Sequence, residues 1–123
     1  MADTSESLPP TIGAALSRAA DRHRDREALV DGDLRLRWSE LDTAVDQAAA
    51  GLIAAGIEHG DRIGIWAPNS GEWVIASLAV HRIGAVLVTM NTRFKGAEAA
   101  YNLRVSGARL LITVTDFLDT DYL

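Results

Sequence analysis

Several residue types are absent from this chain or rare in it, and each absence removes a class of protein or site. The 123 residues contain no cysteine, which excludes disulfides and thiolate metal sites. The three histidines, His23, His59 and His81, lack the spacing of metal ligands, so we expect no metal site. Lys95 is the single lysine among 12 basic residues. With 17 acidic residues the formal net charge is −5, which argues against a nucleic-acid partner.

Long apolar runs are absent too, and the chain starts with an acidic, polar stretch that does not resemble a signal peptide or a transmembrane helix. We therefore expect a soluble, cytoplasmic protein. Residues 1–9 are predicted to form a flexible lead-in, and residues 10–123 a single unit with no interior linker or repeat. A composition of 48% hydrophobic and 24% charged residues is sufficient for one ordinary folded core.

The order of apolar and turn residues predicts an α/β protein with a mostly parallel sheet, helices on both faces and a small N-terminal β-hairpin. The hairpin is indicated by Asp31-Gly32-Asp33 between two short apolar runs. After it, the predicted order is helix, strand, helix, strand, helix, strand, which favours parallel pairing. An earlier helix is predicted to start at Pro10 or Thr11. We expect its buried face to contain Ile12, Ala15, Leu16, Ala19 and Ala20.

Local signals also predict where the later helices begin and end. Ser39 with Asp42 indicates a variant of the capping box, and Asn69 or Ser70 indicates a cap directly after the strand-stopping Pro68. The first of these helices is predicted to bury Leu41, Val45, Ala48, Ala49, Leu52 and Ile53. The predicted strands are residues 62–67, 85–90 and 109–114, and the helix stops are Gly56, Gly84 and Gly107.

The passage from Gly60 to Gly96 contains an ordered set of motifs: GD-R-I-x-I, APNS, a helix ending in GAV, and a strand ending in N-T-R-F-K-G. This order resembles the N-terminal subdomain of AMP-forming acyl-CoA synthetases, which are members of the adenylate-forming superfamily. The resemblance extends over about residues 12–114 and implies part of a larger ligase N-terminal domain. The run N-T-R-F-K-G-x-E-A and the closing TDFLDTDYL are most similar to bacterial enzymes of fatty-acid and steroid-fragment catabolism.

The resemblance implies an enzyme that activates a carboxylic acid, either a fatty acid or a steroid-derived acid, through an acyl-adenylate and transfers the acyl group to CoA. ATP, Mg²⁺ and CoA would serve the parent enzyme, and none is expected to bind tightly to this chain alone. Pyrophosphate release needs a Ser/Thr/Gly-rich phosphate loop with a lysine, and this sequence has no such loop. We therefore assign no catalytic residue and expect the isolated chain to be inactive.

The candidate site is the loop from Asn91 to Gly96, which carries the cations Arg93 and Lys95 after a predicted parallel strand. Ligands of open α/β sheets gather at the carboxyl ends of strands. In the CoA ligases that this segment resembles, an arginine matching Arg93 lies where the CoA nucleotide enters. A guanidinium binds phosphate bidentately, and Lys95 is a second candidate for CoA binding. The alternative is that both cations are solvated or pair with nearby carboxylates.

Other residues have a structural interpretation. Asp31 and Asp33 are assigned to the hairpin, Asp61 to a turn cap, and Trp73 to a packed core position. A Rossmann-type domain is disfavoured, because the sequence has no G-x-G-x-x-G. A non-catalytic stand-alone interaction module or a remnant stays open as a function. If the chain belongs to a larger sheet, an unpaired strand edge or an apolar face would promote its self-association.

Overall fold

The computed structural model describes residues 7–117 and 120–121, so part of the expected lead-in and part of the closing segment lie outside the described residues. The helices and strands alternate as the sequence predicts. The helices are α1 (Ile12–His23), α2 (Trp38–Ala54), α3 (Gly71–Arg82) and α4 (Gly96–Ser106). The strands are β1 (Glu27–Asp31), β2 (Leu34–Arg37), β3 (Arg62–Trp66), β4 (Val86–Thr89), β5 (Leu110–Thr113), β6 (Asp116–Phe117) and β7 (Thr120–Asp121).

A three-stranded parallel sheet in the order β4-β3-β5 is the centre of the fold. Ile65 of β3 is opposite Thr89 of β4, and Trp66 is opposite Thr113 of β5, so the three strands end at one edge. The predicted hairpin is confirmed as the antiparallel pair β1-β2, and a second short pair, β6-β7, was not predicted. The α/β class and the parallel pairing are therefore confirmed.

Helices cover both faces of this sheet, as expected. Successive residues of a strand point to opposite faces. On one face Ile63 packs with Val80 of α3, and on the other Trp66 packs with Ala99 of α4. α1 and α2 form a further layer outside α3, with a core of Leu16, Leu41, Val45, Ala49 and Ala79.

Gly64, in the centre of β3, lets α4 approach the sheet closely. A Cβ atom at this position would lie 2.8 Å from Leu103 Cδ2 and 3.2 Å from Met90 Cε. A larger side chain would therefore force the Leu103 and Met90 side chains from their packed positions.

Most predicted helix ends are confirmed by their hydrogen bonds. The Thr11 hydroxyl accepts the Ala14 amide hydrogen at 3.0 Å and starts α1. The Ser70 hydroxyl accepts the Trp73 amide hydrogen at 3.1 Å and starts α3. Gly107 ends α4 in the left-handed conformation with φ of 72°, which only glycine adopts without strain.

The predicted cap at Ser39 is wrong. β2 leads directly into α2, so the N-cap is Arg37, whose amide donates to the Glu40 carboxylate at 2.9 Å. The Asp42 side chain does not return to the helix start, because it binds Arg82 of α3. Glu40, three residues after Arg37, is the local signal of this start, since it occupies the capping-box position where Glu is usual.

The helices α1 and α2 bury fewer of their predicted core residues than expected. Ile53 of α2 is 60% exposed, although Leu41, Val45 and Ala49 of the same predicted stripe are buried. On α1, Leu16 and Ala20 are buried. Ile12 and Ala15 are exposed, because they border an open groove instead of a covered interface.

Candidate functional site

The candidate site lies at the edge of the sheet where β3, β4 and β5 end. The Met90 amide donates to the Ile65 carbonyl at 3.0 Å, and the Thr113 hydroxyl donates to the Trp66 carbonyl at 2.8 Å. The first bond extends the pairing of β3 and β4 one residue beyond β4, and the second joins the last residues of β3 and β5. The loop after β4, which contains Asn91, is therefore attached to a rigid edge.

Two hydrogen bonds fold this loop into a tight turn. The Arg93 amide donates to Asn91 Oδ1 at 2.9 Å, and the Phe94 amide donates to the Asn91 carbonyl at 3.0 Å. A side-chain oxygen that accepts the amide two residues later is the usual stabilisation of an Asx turn. The Phe94 ring packs against the cluster of Trp66, Met90 and Ala99, so the turn is attached to the core by its side chain as well.

The structure places Arg93 and Lys95 in this turn, and both residues are exposed. Among the described residues, no ion pair joins the Arg93 guanidinium to a carboxylate. Lys95 is the N-cap residue of α4, and its carbonyl accepts the Ala99 amide hydrogen at 3.0 Å. The two cations thus lie two positions apart at the start of α4.

The loop after β3, by contrast, uses its polar groups internally. The Ser70 hydroxyl caps α3, and the Asp31 carboxylate accepts the Gly71 amide hydrogen at 2.8 Å. A Cβ at Gly71 would collide with the Leu34 side chain, so the hairpin packs tightly on this helix start. The structural interpretation of Ser70 is confirmed. The second role of Asp31 was missed, since its partner is 40 residues away in sequence.

Arg82 is a second residue whose role the sequence did not reveal. Its guanidinium contacts Asp42 Oδ1 at 2.7 Å and Asp46 Oδ1 at 2.8 Å on α2, and the Ser17 hydroxyl of α1 at 3.4 Å. The Arg82 side chain is only 16% exposed. It links α1, α2 and α3, so we assign it to stability.

Asp61 is confirmed as a turn cap, because its carboxylate accepts the Glu58 amide hydrogen at 2.8 Å. It also pairs with Arg109 at 3.2 Å, an interaction that the sequence did not indicate. Across the described residues no group of three or more His, Cys, Asp or Glu side chains is arranged to hold a metal ion.

An apolar groove lies elsewhere on the chain, and none of its lining residues belongs to the loop that carries Arg93 and Lys95. Its volume is about 440 Å³, and residues of α1, β1, α2 and α3 line it. Trp38 is the aromatic residue that borders it, while Trp73 of α3 is half-buried. The lining residues are Ile12, Ala15, Leu16, Ala19, Ala28, Leu29, Trp38, Leu41, Val74 and Leu78.

Comparison with known proteins identifies relatives over nearly the full chain. A ligase of Mycobacterium tuberculosis, named for joining a methyl-dioxo-octahydro-indenyl propanoyl group to CoA, is 44% identical over 111 residues, which are 90% of this chain and 22% of that protein. A mitochondrial medium-chain acyl-CoA ligase of Mus musculus is 39% identical over 114 residues, or 91% of this chain and 18% of that protein. The chain thus spans about a fifth of the length of these relatives.

Solved structures that are similar to this chain include enzymes of the same kind. A fatty acyl CoA synthetase of Mycobacterium tuberculosis matches with a TM-score of 0.81 and 30% identity over 84% of this chain and 21% of that one. The N-terminal subdomain of Klebsiella oxytoca NpsA, bound to 3-hydroxybenzoyl-AMSN, matches with a TM-score of 0.83 and 26% identity over 92% of this chain and 28% of that one. The fold is therefore that of the N-terminal region of such enzymes.

No helix in the described part of the chain is long and apolar enough to cross a membrane.

The family described as AMP-binding enzyme matches residues 16–122. The motifs between Gly60 and Gly96 had indicated the same group, and that resemblance to AMP-forming acyl-CoA synthetases is confirmed. This chain belongs to the AMP-binding enzyme family.

Proposed function

We propose that this chain is the N-terminal part of an ATP-dependent, AMP-forming acyl-CoA ligase. In the first half-reaction a carboxylate oxygen of the acid attacks the α-phosphorus of ATP, and pyrophosphate leaves. In the second, the CoA thiolate attacks the acyl carbonyl carbon, and AMP leaves with the bonding electron pair. Residues 10–123 would form the first subdomain of the larger ligase domain. The observation that supports this proposal most is the family match over residues 16–122 together with relatives that are acyl-CoA ligases.

The residues present do not fit ATP or Mg²⁺. The sequence has no Ser/Thr/Gly-rich phosphate loop, and the described residues contain no cluster of metal ligands. We therefore assign no step of adenylate formation to residues of this chain. Those steps belong to the parts of the parent enzyme that correspond to the remaining four-fifths or so of its relatives.

The contribution of this chain would be to the second half-reaction. Arg93 and Lys95 fit a CoA phosphate, since both are exposed at the carboxyl edge of a parallel sheet and Arg93 lies outside the ion pairs found among the described residues. A guanidinium binds a phosphate through two parallel hydrogen bonds, while an ammonium adds a point charge. We assign Arg93 the main role in CoA binding and Lys95 a supporting one.

The acyl substrate is proposed as a class. The two relatives described above are named for a medium-chain acyl group and for a propanoyl group on a bicyclic ring, so a fatty acid or a steroid-derived acid would suit the parent enzyme.

We also propose that this enzyme works in the cytoplasm. Cell fractionation with an antibody to this chain tests that location, and recovery of the protein in a membrane or organelle fraction would contradict it.

The proposed reaction is tested with the ligase that contains this chain, incubated with ATP, CoA and either a medium-chain fatty acid or a bicyclic propanoate. AMP and pyrophosphate should form in proportion to the acyl-CoA. Formation of ADP, or no acyl-CoA with any carboxylic acid, would contradict the proposal. The 123-residue chain alone is the matched control and should form no acyl-CoA.

A further inference from the structure

The position of Arg93 depends on a turn that Asn91 holds with its side-chain oxygen and with its backbone carbonyl oxygen. The carbonyl oxygen accepts the Phe94 amide hydrogen at 3.0 Å within the turn. It also accepts the indole Nε1 hydrogen of Trp66 at 3.1 Å from the end of β3. One carbonyl thus joins the turn to the neighbouring strand.

The Trp66 side of this contact is rigid. Trp66 is 4% exposed and pairs in register with Thr113 of β5. Its backbone carbonyl also accepts a hydrogen bond from the Thr113 hydroxyl at 2.8 Å. The ring packs in the cluster that also contains Met90 and Ala99. The indole donor is therefore fixed by β5 on one side and α4 on the other.

The Asn91 side chain holds the other end of the turn. Its Oδ1 accepts the Arg93 amide hydrogen at 2.9 Å, so it determines the backbone direction at Arg93 itself. Asn91 and Arg93 are both exposed, while Trp66 is buried. Arg93 is thus an exposed cation on a turn whose backbone is held by hydrogen bonds from Trp66 and within Asn91–Phe94.

We propose that Trp66 and Asn91 are positioning residues that present Arg93 to a phosphate of CoA. This inference rests on the proposed function, and it names two residues that act through Arg93 without touching the ligand. An arginine on a loose loop loses backbone freedom when it binds a phosphate, and a turn that is already ordered avoids most of that loss. The two residues would strengthen CoA binding by this pre-organisation and have no effect on adenylate formation.

The test uses the complete ligase and measures the KM for CoA together with the rate of ATP–pyrophosphate exchange. Asn91→Ala removes the side-chain acceptor at an exposed position, and the loss of one ordinary hydrogen bond should raise the KM for CoA roughly three- to tenfold. The exchange rate, which reports adenylate formation, should stay the same. Asn91→Ser restores a hydroxyl acceptor and should recover part of the lost affinity.

Trp66→Phe keeps an aromatic ring and removes the indole donor, and we expect the same rise in KM. Trp38→Phe is the matched control, because Trp38 borders the apolar groove and not the turn. In an Arg93→Ala background, Asn91→Ala should cause no further change, since the residue it positions is gone. Additive effects of the two substitutions would overturn the inference.

The outcome of Arg93→Ala separates this inference from the proposed function. If Arg93→Ala raises the KM for CoA while Asn91→Ala and Trp66→Phe do not, Arg93 binds CoA but the positioning role is overturned. If Arg93→Ala has no effect on the KM, the CoA role and the positioning role are both overturned, while the ligase reaction still stands. A parallel fall in exchange rate and CoA use for Asn91→Ala would assign it to stability alone and also overturn the inference.

Discussion

The indole Nε1–H of Trp66 donates to the backbone carbonyl of Asn91 at 3.1 Å, across 25 positions of sequence. This bond connects the end of β3 to the loop after β4, where Arg93 and Lys95 lie. The candidate CoA site is thus built on the most buried part of the sheet. Arg93 and Lys95, which would touch the ligand, are exposed, and so is Asn91, while Trp66 is buried.

Arg82 should be important for stability and not for CoA binding. Arg82→Met removes contacts to two aspartates and to the Asp42 carbonyl from a side chain that is 16% exposed. We expect a loss of about 1–3 kcal/mol in the free energy of unfolding, measured by urea denaturation of this chain. Arg35→Met is the control, because both partners of the Arg35–Glu27 pair are about half exposed and such pairs contribute roughly 0–1 kcal/mol. Equal losses in the two variants would contradict the role of Arg82.

Asp31 should stabilise the start of α3 from the hairpin. Asp31→Ala leaves the Gly71 amide without its side-chain acceptor, and loss of a cap costs about 0.5–2 kcal/mol of unfolding free energy. Asp31→Asn keeps an acceptor oxygen and should restore most of this stability. Asp33→Ala, in the exposed turn of the same hairpin, should change the unfolding midpoint little. A larger effect at Asp33 than at Asp31 would show that the turn, not the cap, matters.

Gly64 should not tolerate alanine. The added methyl group would lie 2.8 Å from Leu103 Cδ2, and such overpacking costs about 1–3 kcal/mol. Thermal melting of Gly64→Ala measures the loss, and Leu103→Ala in the same chain should compensate for part of it. Gly51→Ala in α2 is the control, because its added Cβ would meet no atom within 4 Å outside the adjacent backbone of its own helix, and it should leave the chain as stable or slightly more stable. An unchanged melting temperature for Gly64→Ala would contradict the close packing of α4.

Self-association of the isolated chain is expected at high concentration. Among the described residues, β4 and β5 each pair on one side only, so each has an open edge. Val86 on β4 is 46% exposed, and a lysine there would discourage edge-to-edge pairing. Light scattering should show a concentration-dependent rise in mass that Val86→Lys reduces. A monodisperse monomer at every concentration would favour the stand-alone interaction module.

Local signals accounted for most of the fold. Thr11 and Ser70 begin helices, Gly107 ends one, and the Asp-Gly turn makes the hairpin, because each signal is contained in a few neighbouring residues. Apolar periodicity then gave the parallel strands. Ser39 was the exception, because β2 continues directly into α2 and the Glu40 carboxylate, not Ser39, caps the helix start.

Contacts between distant segments were not predictable from the sequence. Asp31 caps a helix 40 residues away, and Arg82 reaches Asp42 over the same separation. The placement of Arg93 at the carboxyl edge followed from the strand pattern. Its attachment through Trp66 did not, because a buried tryptophan has no local feature that reveals which carbonyl its indole meets.

The CoA role of Arg93 is the central claim, and its most direct test is the Arg93→Ala variant of the complete ligase. The side chain should supply charge-assisted hydrogen bonds to a phosphate, so its removal should raise the KM for CoA about tenfold or more. Arg93→Lys should recover part of this, because it keeps the charge without the planar fork. ATP–pyrophosphate exchange should match the unaltered enzyme. An unchanged KM for CoA in Arg93→Ala would contradict the account.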